Sequence, residues 1–112
     1  MLALPANWPH DPSPPDGRPV LHSLAAMTAY WNRVFVAVCD RCGTERGCEF
    51  EGGSGLAGPN GALLSGPVID RGPATLRADC ELAQARDKRT SAHNDAFADR
   101  RAEHYAAALV GG

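Results

Sequence analysis

With 112 residues and a formal net charge of −2, the chain offers no general attraction to nucleic acid or acidic membranes. The charge is even along its length: five arginines against seven acids in residues 1–72, then six bases against six acids in 73–112. The length suits one small domain, and no stretch is long and apolar enough to cross a bilayer.

The N-terminus has no basic residue before Arg18 and its prolines interrupt any apolar run, so no secretion signal is read there. The expected setting is cytoplasmic, or a virus particle. In a reducing compartment a Cys-x-x-Cys pair binds metal or does redox chemistry more often than it forms a disulfide.

Residues 1–19, with Pro5, Pro9, Pro12, Pro14, Pro15 and Pro19, read as an extended polyproline-like arm. Trp8 is its candidate anchor on a partner, and His10 reads as a solvent- or partner-facing histidine. A single small domain follows over 20–110. Residues 20–32 predict a short helix led by Pro19, with Leu21, Leu24, Met27, Thr28 and Trp31 near one packing face and His22 at the surface.

Residues 33–39 predict a strand covered on both faces, because no polar residue interrupts its run Val34–Val38. A Cys-x-x-Cys-Gly turn, Cys39 to Gly43, comes next. A return strand near Gly47–Glu51 would place Cys48 and Phe50 on one face. Asp40, Glu45, Glu49 and Glu51 read as solvated charges. Residues 52–73 form a Gly-rich loop with a Pro59-Asn60-Gly61 turn and room for short strands at Leu63-Leu64 and Val68-Ile69. It lacks the spacing of a phosphate-binding loop. Residues 74–110, with eleven alanines and neither Pro nor Gly, predict one or two helices. Asp79 is a candidate cap for the first, and Cys80 falls in its first turn.

The four cysteines, Cys39, Cys42, Cys48 and Cys80, are the candidate metal ligands. Zn²⁺ takes four thiolates tetrahedrally, and a small core gains from such a staple. The fold class expected is therefore α+β: a zinc-stabilised β-hairpin with a short N-terminal helix and one or two C-terminal helices. The segment Val34–Phe50 with Cys80 resembles treble-clef and zinc-ribbon proteins, although those usually draw the second ligand pair from a second Cys-x-x-Cys. The spacing Cys39-x2-Cys42-x5-Cys48 is also similar to part of the WhiB-like iron–sulfur regulators, in which the remaining cysteine precedes the triplet. Free or disulfide-bonded thiols and a thioredoxin-like redox pair are the other two readings of the set. Gly43 and Gly47 argue against the helix that a redox pair needs.

His93, Phe97, Arg100 and His104 fall at i, i+4, i+7 and i+11, one stripe of a helix that could dock a second chain. No serine-histidine-acid elbow or zinc-hydrolase motif is present. The function expected is a non-enzymatic zinc-binding module for structure or protein–protein interaction, a viral or bacterial assembly component, with a protein partner or a second copy bound. The alternatives are a zinc-dependent nucleic-acid-binding regulator, suggested by Arg33, Arg41 and Arg46 beside the cysteines and by Arg86, Lys88 and Arg89, and an iron–sulfur regulator.

Overall fold

The computed structural model describes residues 1–12, 19–66, 68 and 72–104. Its centre is a sheet with strand order β1-β2-β5-β6, built from β1 (Leu2–Ala6), β2 (Val36–Asp40), β5 (Gly55–Ala57) and β6 (Leu63–Ser65). The first two strands run parallel with Leu2 opposite Val36 and Ala6 opposite Asp40, and β5 and β6 continue antiparallel. A parallel pair needs a crossover, which is the helix α1 (Val20–Asn32). The residues expected as an extended arm thus open with a paired strand.

The helix forms over the predicted span, but its buried face differs from the predicted one. Leu21, Ala25 and Ala29, spaced by four, pack on Val36, Val38 and Ala57. Leu24, Met27 and Trp31 remain 44%, 56% and 65% exposed. Small alanines let the helix backbone approach the sheet closely, so they take the core positions and the large side chains face outward. His22, expected at the surface, is buried. Arg33 ends the helix in the left-handed region, its N–H bonded back to Tyr30.

Strand β2 alternates as a strand must. Val36 and Val38 face α1, while Ala37 and Cys39 face the other side of the sheet. That second side, expected to be covered, is open: a groove of about 350 Å³ runs along Ala3, Pro5, Ala37, Cys39, Leu56 and Leu76.

A two-stranded ribbon, β3 (Cys42–Glu45) and β4 (Cys48–Glu51), follows β2. Its turn lies at Arg46-Gly47, both at positive φ (51° and 80°), the combination of a tight type I′ hairpin. The turn is therefore four residues beyond Cys42, whereas the cysteine pair itself spans the passage from one strand to the next.

The C-terminal region departs most from expectation. Over most of it, where one or two helices are expected, the described residues hold a 3₁₀ turn at Leu82–Arg86 and a small hairpin of β7 (Arg89–Ser91) and β8 (Asn94–Asp95), with helical residues only at 102–104. Glu81, not Asp79, caps the 3₁₀ turn, accepting from the Ala83 N–H. Alanine is the best helix former, but propensity is a weak prior, and Asp87, Thr90, Ser91, Asn94 and Asp95 compete for backbone N–H and C=O groups. The expected helix end at 105–110, the strand residue Ile69, and Pro14 and Pro15 lie outside the described residues.

Candidate active site

Because β1 and β2 are parallel, they end at the same edge of the sheet, at Ala6 and Asp40. Ligand sites in open sheets with parallel strands gather at such carboxyl ends. Here the edge is built by three segments: residues 7–11 after β1, Arg41 after β2, and Glu51–Ser54 between β4 and β5.

Asp40 ties these together. One carboxylate oxygen accepts the Trp8 N–H at 3.0 Å and the other accepts the Gly53 N–H at 3.1 Å. The Asp40 N–H in turn donates to Ser54 Oγ at 2.9 Å. Charge-assisted bonds of this kind are about twice as strong as neutral ones. Residues 8–10 then run antiparallel to β4: Glu51 N–H donates to Trp8 O at 2.9 Å and His10 N–H to Glu49 O at 2.8 Å, with Pro9 opposite Phe50.

Glu51 is 7% exposed. Its Oε2 lies 2.7 Å from His10 Nδ1 and accepts the Asp11 N–H at 3.3 Å. A buried carboxylate requires such partners. The start of α1 is docked on the same segment, with His22 Nε2–H donating to Gly53 O at 2.8 Å. A side chain at Gly53 would come within 3.2 Å of Pro19 Cβ and 3.3 Å of His22 Nε2, so glycine is what permits the approach. Half-buried Trp8 packs against the core cluster under α1, and outside this bonded layer stand exposed Asn7 and Arg41, whose guanidinium stacks 4.5 Å from the Phe50 ring centroid and pairs with Glu45. The arrangement holds a short aromatic and polar wall at the strand ends. Both Asp40 oxygens and Glu51 Oε2 are engaged in holding it, so these carboxylates position the wall.

The cysteines are not gathered at this edge. Cys39 lies on the open face of the sheet and is exposed. On the ribbon, Cys42 pairs with Glu51 and Cys48 with Glu45. That is an offset of three residues, about 10 Å along the strands and on opposite faces, whereas thiolates sharing a zinc ion sit within about 4 Å of one another. Cys80 precedes the 3₁₀ turn, with its Sγ 3.8 Å from Ala78 O. No group of three or more metal-binding side chains occurs among the described residues. The other expected residues are equally scattered. Trp8 packs against the core cluster, His93 is in the turn between β7 and β8, and Phe97 lies under Lys88 and Arg100 at 5.1 and 5.8 Å. Arg101 Nη2 lies 2.6 Å from His104 Nε2. The helical stripe expected of His93, Phe97, Arg100 and His104 does not form.

Sequence reasoning passed over Asp40, Glu51, His10 and His22. Glu51-Gly52-Gly53 carried a usable signal: an acid followed by two glycines, where neighbouring backbone can approach closely.

No family model matches the chain. In sequence it is 37% identical, over 79 residues, to a nitrilase of Pyrococcus abyssi, covering 70% of this chain and 30% of that protein. In structure it matches an amidase of Nesterenkonia sp. AN1. One form of that enzyme, with acrylamide added to its active-site cysteine, gives a TM-score of 0.60 at 26% identity, covering 97% of this chain and 36% of the enzyme. Another, with the acetamide moiety of fluoroacetamide on that cysteine, gives 0.63 at 24% identity, over 96% and 35%. The chain thus spans about a third of the length of these relatives.

These likenesses overturn the zinc-module account. Treble-clef, zinc-ribbon and iron–sulfur resemblances give way to a nitrilase in sequence and amidases of the nitrilase superfamily in structure. The expected α+β zinc hairpin gives way to their fold, and the non-enzymatic structural, virion or nucleic-acid role gives way to relatives that are enzymes. A zinc or iron–sulfur cofactor has no support in the cysteine geometry. Among the described residues no helix is long and apolar enough to cross a membrane. What this chain resembles, over nearly all its length, is one third of a nitrilase-superfamily amidase.

Proposed function

We propose that this chain supplies the corresponding third of a carbon–nitrogen hydrolase that acts on amides or nitriles. The observation that carries the proposal is the agreement of the sequence and structural likenesses. The sequence relative is a nitrilase, the structural relatives are amidases, and the structural match runs over 96–97% of the chain.

In amide hydrolysis of this kind a thiolate adds to the carbonyl carbon, the C–N bond breaks as the amine takes up a proton, and water then cleaves the resulting thioester. The cysteines here are poorly placed for the first step. Cys39 and Cys48 are exposed, and the Sγ atoms of Cys48 and Cys80 lie 3.8 Å from the backbone oxygens of Glu49 and Ala78. A nucleophile needs a base within hydrogen-bond reach. We therefore assign the nucleophile to none of them and give this chain a positioning role. The wall of Asn7, Arg41 and Phe50, fixed by Asp40 and Glu51, bounds the place where substrate sits.

The test is ammonia release from a short aliphatic amide. It is measured on the chain alone and on the Pyrococcus abyssi nitrilase carrying this chain in place of its matching segment. The expectation is no release from the chain alone and release from the chimera. A folded chimera that hydrolyses neither amides nor nitriles would contradict the proposal.

A further inference from the structure

At the strand ends, one side of the wall carries unbalanced charge. Arg41 is held by its backbone from both directions: its N–H donates to Ala6 O at 3.1 Å and its carbonyl accepts the Gly52 N–H at 2.8 Å. Its side chain, 42% exposed, reaches over the β3–β4 ribbon, where the guanidinium lies 4.5 Å from the Phe50 ring centroid. The ring covers one face of the guanidinium. The N–H groups lie in the guanidinium plane and stay available to an acceptor beside it.

Strand alternation decides which acids share that side. Gly43 is opposite Phe50 and Glu45 opposite Cys48 on one face of the ribbon, while Cys42–Glu51 and Thr44–Glu49 form the pairs of the other face. Glu49 and Glu51 are therefore turned away from Arg41. Both Asp40 oxygens are occupied by the N–H groups of Trp8 and Gly53. Glu45 stands on Arg41's side, and it is shared: one of its oxygens pairs with Arg41, and the other lies 4.0 Å from Arg46 Nε. Two guanidinium groups thus face one carboxylate, which leaves an excess of one positive charge. Space remains beside them, because a side chain at Gly43 would meet no atom within 4 Å.

We propose that Arg41 receives a carboxylate at the far end of the substrate, so that the site prefers short amides bearing an acid group to neutral ones. A guanidinium matches a carboxylate with two parallel N–H···O bonds, and Phe50 offers an apolar surface to the chain between the two ends. Glu45 is the internal competitor for the same cation. The proposal rests on the hydrolase reading and names its substrate class.

Three amides of similar size test it in the nitrilase chimera: butyramide, succinamate and β-alaninamide, which end in a methyl, a carboxylate and an ammonium group. kcat/KM for succinamate is expected to exceed that for butyramide by about tenfold, the worth of one hydrogen bond to a charged group. Arg41→Met should bring the two together, and Arg41→Glu should turn the preference toward β-alaninamide. Glu45→Gln should raise the succinamate preference by roughly two- to fivefold, since it frees Arg41 from an exposed ion pair. Loss of structure alone would not move the two positions in opposite directions. A chimera that hydrolyses butyramide without preferring succinamate would overturn this proposal and leave the hydrolase reading standing. One that is folded and hydrolyses none of the three would overturn both. On the full chain by itself, the Arg41 Nε–H resonance should shift with succinamate at about 50 mM, enough to fill a site of millimolar affinity, and not with butyramide. An unshifted resonance would also overturn the proposal.

Discussion

The carboxylate of Asp40, the last residue of β2, accepts the backbone N–H of Trp8, the second residue beyond β1, at 3.0 Å. This bond joins the ends of two parallel strands, and the second Asp40 oxygen adds the Gly53 N–H at 3.1 Å. One side chain thereby holds three separate stretches of chain at the sheet edge.

Asp40→Ala should therefore cost more than an ordinary surface change. It leaves two backbone N–H groups without their acceptor, and bonds to charged groups contribute about 1.5–3 kcal/mol each. Partial exposure reduces this, so a loss of about 2 kcal/mol is expected in urea denaturation. Asp40→Asn should lose about half as much, since its amide can accept from only one of the two. Equal stability of Asp40→Ala and wild type would contradict the role given to this residue.

Lys88 is the only lysine in the chain. Its Nζ donates to Asn32 O at 3.0 Å and Arg33 O at 2.9 Å, at the C-terminal end of α1. A cation is favoured there by the helix dipole. Lys88→Met keeps the stem but removes the charge. It should lower stability by about 1 kcal/mol and speed amide exchange in β7 and β8 relative to the central sheet. Unchanged exchange in the hairpin would show that Lys88 does not anchor it.

The same hairpin has an acid-sensitive contact. Hydrogen bonds from the Arg89 side chain and backbone hold the Asp87 carboxyl down from 3.8 to about 2. A lowered pKa means the contact stabilises fully above the unfolded value and is lost as pH falls through the folded one. Between about pH 4 and pH 2 the Arg89 amide and side-chain resonances should therefore move toward random-coil values. Both groups are exposed, so global stability should change little from this contact. A hairpin unaltered at pH 2 would contradict it.

Because Cys42 and Cys48 sit on opposite faces of the ribbon, a chelator should leave the unfolding midpoint unchanged. Cys42→Ser and Cys48→Ser should each remain folded. Loss of structure on chelation, together with one bound zinc per chain, would contradict this geometry.

What the sequence revealed was local. The helix at 20–32 and the apolar strand after it follow from spacing and side-chain shape, and the return strand at Cys48–Glu51 lies where alternation put it. The cysteine motif misled because proximity in sequence was taken for convergence in space. The hairpin turn fell at Arg46-Gly47, and the intervening residues carried the thiols apart. Alanine content misled in a similar way over residues 74–101, where short polar side chains bond the backbone into turns. The site residues were hidden for another reason. Asp40 and Glu51 look like solvated charges until the pairing of residues 8–10 with β4 brings backbone donors to one and His10 to the other.

The central claim is that this edge forms part of an amide-hydrolysing site. It is tested most directly by kcat/KM for a short amide in the nitrilase chimera, with and without Asp40→Ala. The account predicts measurable hydrolysis by the parent chimera and at least a tenfold fall in the variant, of the size expected when a wall of the site shifts by about 1 Å, with the fold retained by circular dichroism. Equal kcat/KM in the two folded proteins would contradict it.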